Sequence, residues 1–146
     1  MKKVVSQSEL SQKLKDAAKN QGFNLVGIAR VPGSSRLQLR NQALERWLQA
    51  GNQANMKWMN APRRKNIETL LEGVKSVVAV GLNYYVNKER DPENLMIARY
   101  AWGMDYHKTL EKRLRVLAEV LVRHRPSSKW KICVDTSPLL DKAWAE

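Results

Sequence analysis

Val74-Lys75-Ser76-Val77-Val78-Ala79-Val80-Gly81-Leu82 is the stretch that decides the fold of this 146-residue chain. Its centre, Val77 to Val80, is continuously apolar and rich in β-branched side chains. That pattern predicts a strand in a sheet covered on both faces, because neither set of alternating side chains is polar. Upstream, Phe23-Asn24-Leu25-Val26-Gly27-Ile28-Ala29 is a second short apolar run, closed by Pro32-Gly33, and reads as a buried strand. Downstream, residues 130–134 read as a third. The segments between have helical spacing. Leu10, Leu14, Ala17 and Ala18 mark a helix over 8–20, with Gly22 suited to a left-handed cap. Leu37, Leu44, Trp47 and Leu48 mark one over 37–50, ended by Gly51. Leu110, Leu114, Leu117 and Leu121 mark one over 106–124, broken by Pro126. Ser137-Pro138 reads as the start of a fourth, with Ser as N-cap and Pro in the first turn. Residues 51–66 lack periodicity and read as a loop or irregular helix, 66–71 as a single helical turn, and 83–94 as a polar connection. Helix and strand alternate throughout. The expectation is one α/β domain over 1–146, a layered mixed sheet with helices on its faces.

Charge is the unusual part of the composition. The chain has 26 Lys and Arg against 14 Asp and Glu, a net charge of +12. Residues 36–65 hold seven basic side chains and one acid. Residues 108–131 hold eight and two, so each stretch nets +6 and together they account for the surplus. Clustered cations attract phosphate through long-range field and counterion release, which makes nucleic acid a candidate partner; a solvated basic surface explains the same numbers. The single cysteine, Cys133, excludes a disulfide framework and any site built from several thiolates. It fits a reducing cytoplasm and reads as an inert, buried strand thiol. The amino terminus opens with two lysines like a signal peptide, but Ser6-Gln7-Ser8-Glu9 interrupts any apolar run. No segment is long and apolar enough to cross a bilayer.

The densest chemistry lies in Arg99-Tyr100-Ala101-Trp102-Gly103-Met104-Asp105-Tyr106-His107. It could hold a flat ligand near Gly103. Equally, Asp105 could be a helix N-cap, Trp102 and Tyr106 core, and His107 a surface residue. Asp135 follows the third expected strand, where ligands bind in α/β sheets. There it is either a general acid or a turn aspartate bonded to its own backbone. Arg63 and Arg64, beside Met56, Trp58 and Met59, either hold phosphate or amide groups or form a solvated pair. The sequence contains no glycine-rich phosphate loop, paired-histidine zinc site or nucleophile elbow, and no metal ligand set.

The Arg99–His107 string, followed by Leu110 and Arg113-Leu114, resembles the signature of epoxyqueuosine reductases. Further ordered pieces resemble the same family. They are Gly22 through Ala29; Trp47-Leu48, Gly51 and Met56-Lys57-Trp58-Met59; Arg64 ahead of Leu70-Leu71 and Gly73 through Val78; and Val134-Asp135-Thr136-Ser137-Pro138 through Ala143. The resemblance covers nearly all of residues 8–146. Departures are Glu72 in place of a proline, Asn52 to Asn55 in place of a His-Gly turn, and Asp141-Lys142 for Glu-Arg. The ending at Glu146, soon after a helix begins, reads as a domain stopped in mid-course.

The resemblance implies an amino-terminal, cobalamin-binding catalytic domain, incomplete and lacking the family's iron–sulfur, ferredoxin-like part. It implies reduction of epoxyqueuosine to queuosine in the anticodon loop of tRNA, an oxidoreductase reaction of queuosine biosynthesis in the cytoplasm, catalysed by a monomer. Electrons would come from [4Fe–4S] clusters, for which this chain has no ligands, since a cluster takes four; the fragment alone is expected to be inactive. Asp135 would be the proton donor. Arg64, Ala98 through its main chain, Arg99, Tyr106, His107 and Asp135 would line the corrin. Two alternatives remain: a non-catalytic basic tRNA- or RNA-binding module, and another corrin-binding reductase related to reductive dehalogenases.

Overall fold

A computed structural model describes residues 5–64, 66–89, 93 and 95–146. Lys65 of the first basic stretch, residues 1–4 of the lysine-bearing terminus, and positions 90–92 and 94 of the polar connection lie outside the described residues. The order is α1 (Gln7–Asn20), β1 (Leu25–Arg30), α2 (Ser35–Gln49), β2 (Ser76–Gly81), α3 (Tyr106–His124) and α4 (Asp141–Ala145). Residues 51–71 form three short 3-10 turns at Lys57–Asn60, Pro62–Arg64 and Ile67–Thr69, as the lack of periodicity suggested.

Local chemistry sets the helix ends. Ser6 and Glu9 form a reciprocal capping box, each side chain bonding the other's backbone N–H, so α1 begins just before the expected position. Ser34 caps α2 by accepting from the Leu37 N–H. Asp105 caps α3, whose bounds match the leucine periodicity. Gly22 closes α1 at φ +81°, a left-handed conformation that costs glycine nothing.

The core forms where α1 and α3 pack on one face of the sheet. Ala18, Phe23 and Leu117 are its buried centre, and Val26, Val78 and Val80 pack against them from the strands. α4 packs on both strands and on α2, covering the other face. Trp144 brings α4 down onto the turn before α2. A Cβ at Gly33, where φ is +97°, would lie 2.4 Å from the Leu37 Cδ2 and 3.3 Å from the Trp144 ring. The contact requires a glycine twice over, for its φ and for its missing side chain.

The sheet differs from expectation. β1 is not buried: its residues are exposed or half-buried, with Leu25 turned to solvent. β1 and β2 pair antiparallel, with Val26 opposite Val80 and Ile28 opposite Val78, and among the described residues the sheet has these two strands alone. Residues 130–134 are not a strand. No backbone ladder joins them to β2, because a groove separates the two, and a strand exists only through its partner's hydrogen bonds. Nor does a helix begin at Ser137-Pro138. Short-range bonds from the Thr136 N–H to the Val134 carbonyl and from the Leu139 N–H to the Ser137 carbonyl bend the chain there. α4 starts at Asp141 with no side-chain cap, where burial of Trp144 sets its position.

Candidate functional site

Asp135 ends the unpaired segment after Val134, and its backbone is left-handed at φ +54°. That conformation is uncommon for a residue with a Cβ, although aspartate tolerates it better than most. One constraint is visible: the Tyr106 hydroxyl donates to Asp135 Oδ2 at 2.6 Å. The bond joins residues 29 apart in sequence, and α3 supplies the tyrosine from its first position. The carboxylate in turn pushes the Tyr106 phenol up to about 12, chiefly because that hydrogen bond favours the protonated phenol.

His107 completes the cluster. Its ring stacks on Tyr106 with centroids 4.1 Å apart. Asp105 Oδ1 accepts from both the His107 backbone N–H and its Nδ1, each at 2.9 Å. These two bonds, the side-chain one first, hold the Asp105 carboxyl below the usual carboxylate range. Nδ1 is the ring nitrogen turned toward Asp105, which leaves Nε2 facing away from it. Nε2 is shielded from solvent, has no hydrogen-bond partner among the described residues, and lies 3.9 Å from Asp135 Oδ2, beyond hydrogen-bond reach. Asp105 therefore serves both as helix cap and as the orienter of a histidine beside Asp135.

An aromatic shelf borders this cluster. Tyr100 meets Tyr106 edge-on at 6.1 Å and Tyr84 at 6.5 Å. The Arg99 guanidinium lies over Tyr85 at 4.9 Å and Trp102 at 5.9 Å. Ala98 is the cap residue of the Arg99–Ala101 turn, its carbonyl accepting from the Ala101 N–H. Tyr84, Tyr85 and Tyr100 are each more than half exposed, and Leu95, Met96 and Met104 more so, so these segments present apolar side chains to solvent. Tyr84 and Tyr85 went unrecognised in the sequence because they open a polar stretch; two adjacent tyrosines directly after a strand were the available signal.

Arg64 is held by a different set of contacts. Its guanidinium covers Trp58 at 4.6 Å, it borders a 200 Å³ pocket with Pro32, Leu140 and Trp144, and its Nε has no partner among the described residues. It and Asp135 both act electrostatically on Asp141, which is how the structure brings their neighbourhoods together. Neither the 200 Å³ pocket nor the 460 Å³ groove contains Asp135, Tyr106 or His107; in the cluster Asp135 is exposed, while Tyr106 and His107 are half-buried. Cys133 is half-buried rather than enclosed. No group of three or more metal-ligating side chains occurs among the described residues.

Fold and site thus define an α/β domain that presents a tyrosine-held carboxylate and an oriented histidine at the edge of an exposed aromatic shelf. Residues 64–136 match the family model of epoxyqueuosine reductase QueG, DUF1730, and the chain belongs to that family. An epoxyqueuosine reductase of Prochlorococcus marinus (strain NATL2A) is 61% identical over 94% of this chain, and one of Synechococcus sp. (strain CC9605) is 56% identical over 96%. The chain spans 44% of the length of each of these relatives. The structure of epoxyqueuosine reductase from Streptococcus thermophilus resembles it with a TM-score of 0.73 at 22% identity, over 89% of this chain and 36% of that one. That last likeness is one of fold.

Proposed function

We propose that this chain is the part of an epoxyqueuosine reductase that holds cobalamin and delivers a proton from Asp135 to the substrate, the modified base of a tRNA anticodon loop. The observation that carries this reading is Asp135 itself, strained to φ +54° and tethered by Tyr106 at the border of the shelf. The residues suit a corrin. A flat, largely apolar macrocycle fits the exposed aromatic surface, and its rim of amides suits the unpartnered Nε groups of Arg64 and Arg99 and Nε2 of His107. Ala98 would contribute through its main chain. Cobalamin, when bound, supplies the electrons for the reduction of the epoxide. Reduction of the epoxide to the alkene breaks both C–O bonds and takes two electrons and two protons, the oxygen leaving as water; solvent would supply one of those protons and Asp135 the other, to the oxygen. With Oδ2 held by Tyr106, Oδ1 is the atom that carries it. Tyr106 fixes the direction of transfer, and His107 shields one side of the carboxylate from water.

The electrons would enter from iron–sulfur clusters held outside residues 1–146, since the one cysteine here cannot ligate one, and the chain alone is then inactive. Basic side chains on α2 and α3 would meet tRNA phosphates. A tRNA substrate fits a protein of the cytoplasm, acting there as a monomer, and no helix among the described residues is long and apolar enough to cross a membrane. The test is a titration of the folded chain with cob(II)alamin, followed by visible absorbance. Saturable binding that weakens in Arg64→Ala and in Arg99→Ala is expected. A folded chain that leaves the spectrum unchanged overturns the cofactor reading.

A further inference from the structure

We propose that the exposed face of Trp58 is a stacking platform for one unstacked nucleobase of a single-stranded RNA loop. The inference rests on the RNA part of the proposed function and not on the cofactor. It adds a second point of grip, on a base other than the one that reaches Asp135.

Trp58 lies in the 3-10 turn Lys57–Asn60, and 58% of it is exposed. Tryptophan is among the side chains that gain most from being covered, so a ring left in solvent forgoes stabilisation. One of its faces is nonetheless taken. The Arg64 guanidinium lies over the ring, 4.6 Å from its centroid, which fixes the ring and leaves the opposite face open. The backbone is fixed as well. The Met59 N–H donates to the Met56 carbonyl at 2.9 Å, the Ala61 N–H to the Trp58 carbonyl at 3.2 Å and the Arg64 N–H to the Ala61 carbonyl at 3.0 Å. Residues 56–64 are therefore a run of closed turns that sets tryptophan and arginine against each other. A ring held in advance loses little freedom when a partner covers it.

Charge decides what that partner is. From Arg46 to Arg64 the chain carries four cations, Arg46, Lys57, Arg63 and Arg64, and no acid. Lys57 and Arg63 are exposed; one directly precedes the tryptophan and the other the arginine that backs it. A flat π-surface among cations suits a partner that is itself flat and carries negative charge close by. A nucleotide is both: its base stacks on the ring and its phosphate meets the cations. An apolar peptide would leave the cations unmatched. In a duplex the neighbouring pairs cover both faces of a base, so only an unstacked base in a loop offers one. Arg64 also borders the pocket that contains Leu139 and Leu140, which follow Asp135 closely in the chain. Four residues span at most about 14 Å, so the platform and the carboxylate lie close enough to engage one RNA loop.

The test is a titration of a fluorescently labelled RNA hairpin, carrying an anticodon loop, with the 146-residue chain, read by anisotropy. Trp58→Ala is expected to weaken binding about tenfold, the scale of one base stacked on one ring. Trp58→Phe keeps a ring and is expected to recover most of that loss. The slope of log affinity against log salt is expected to be the same in all three proteins, because stacking releases no counterions. Hairpins with single abasic loop positions identify the base: at one position wild type is expected to bind as weakly as Trp58→Ala, with no further cost from the substitution. The inference is overturned if Trp58→Ala, folded by circular dichroism, binds the hairpin as wild type does, or if Trp58→Phe is as weak as Trp58→Ala. A shallower salt slope in Trp58→Ala also overturns it, by tracing the loss to phosphate contacts. So does a Trp58→Ala chain that keeps the RNA and loses cob(II)alamin, since the ring then belongs to the cofactor. A wild-type chain that binds no hairpin overturns the RNA part of the proposed function and this inference together.

Discussion

Leu117→Ala and Phe23→Ala, compared in one experiment, measure how far the groove opens the core. Both side chains belong to the same buried cluster, at 5% and 3% exposure. They differ in what surrounds them: Leu117 also lines the groove and Phe23 does not. Shortening Leu117 removes roughly three methylene equivalents at about 0.8 kcal/mol each, or about 2.5 kcal/mol of transfer free energy. The vacated space merges with a groove that is already open, so little closed cavity is created, and the cost stays at the low end of the range for buried leucines. Phe23 is enclosed by Ala18, Leu117 and the strand valines, and its removal leaves a closed void, costing about 4 kcal/mol. With a urea m-value of about 2 kcal/mol per molar, the midpoints fall by about 1.2 M and about 2 M respectively. Urea unfolding followed by far-UV circular dichroism reads both. Equal costs, or a larger cost at Leu117, would refute the open-groove argument, since the space around Leu117 would then behave as sealed interior.

Asp135→Asn should bring the Tyr106 phenol down from about 12 toward the ordinary tyrosine value near 10, seen as an added ionisation step in the wild-type-minus-variant absorbance titration; identical titrations would mean the 2.6 Å bond is not made in solution. Asp105 has a depressed carboxyl, so its contribution to stability is fully present above the usual carboxylate value and is lost as pH falls through the lowered one. Asp105→Asn, which keeps a capping side chain, should be less stable than wild type near neutrality, and the two acid-unfolding curves should converge at low pH. Gly33→Ala should cost at least about 1 kcal/mol, because φ +97° and the 2.4 Å approach to Leu37 oppose any Cβ; a neutral effect by thermal melting would show that the turn relaxes freely. For single-stranded anticodon-loop RNA, the double variant Lys108→Ala/Lys112→Ala should make the salt dependence of binding shallower by about 1.4, at roughly 0.7 for each phosphate no longer neutralised, whereas an unchanged slope would place the RNA elsewhere.

Much of the architecture was legible in the sequence because it is governed by local physics. Leu110, Leu114, Leu117 and Leu121 repeat at helical spacing, and α3 has the bounds they imply. Val77 to Val80 form the strand their β-branched run implies, half-buried rather than fully covered, and Gly22 takes the left-handed cap a glycine there suggests. The strand composition of residues 130–134 was legible too, but a strand is a relation between two segments, and no neighbour among the described residues pairs with this one. Likewise Ser137-Pro138 carries a good helix-start signal that short-range turn bonds and the burial of Trp144 override. At the site, the residue types were visible in order: Asp105, Tyr106, His107 and Asp135 each stood out. What no local pattern contains is the closure that sets the Tyr106 hydroxyl on Asp135 across 29 residues, or the meeting of Tyr84 with Tyr100. The sequence by itself determined the three long helices, where the charge lies and which side chains carry chemistry, because propensity and periodicity act over a few residues. Only the tertiary structure decided that the carboxylate is tethered, that the histidine is oriented toward it and that the sheet has an open edge, because each depends on distances between segments that the chain brings together only by folding.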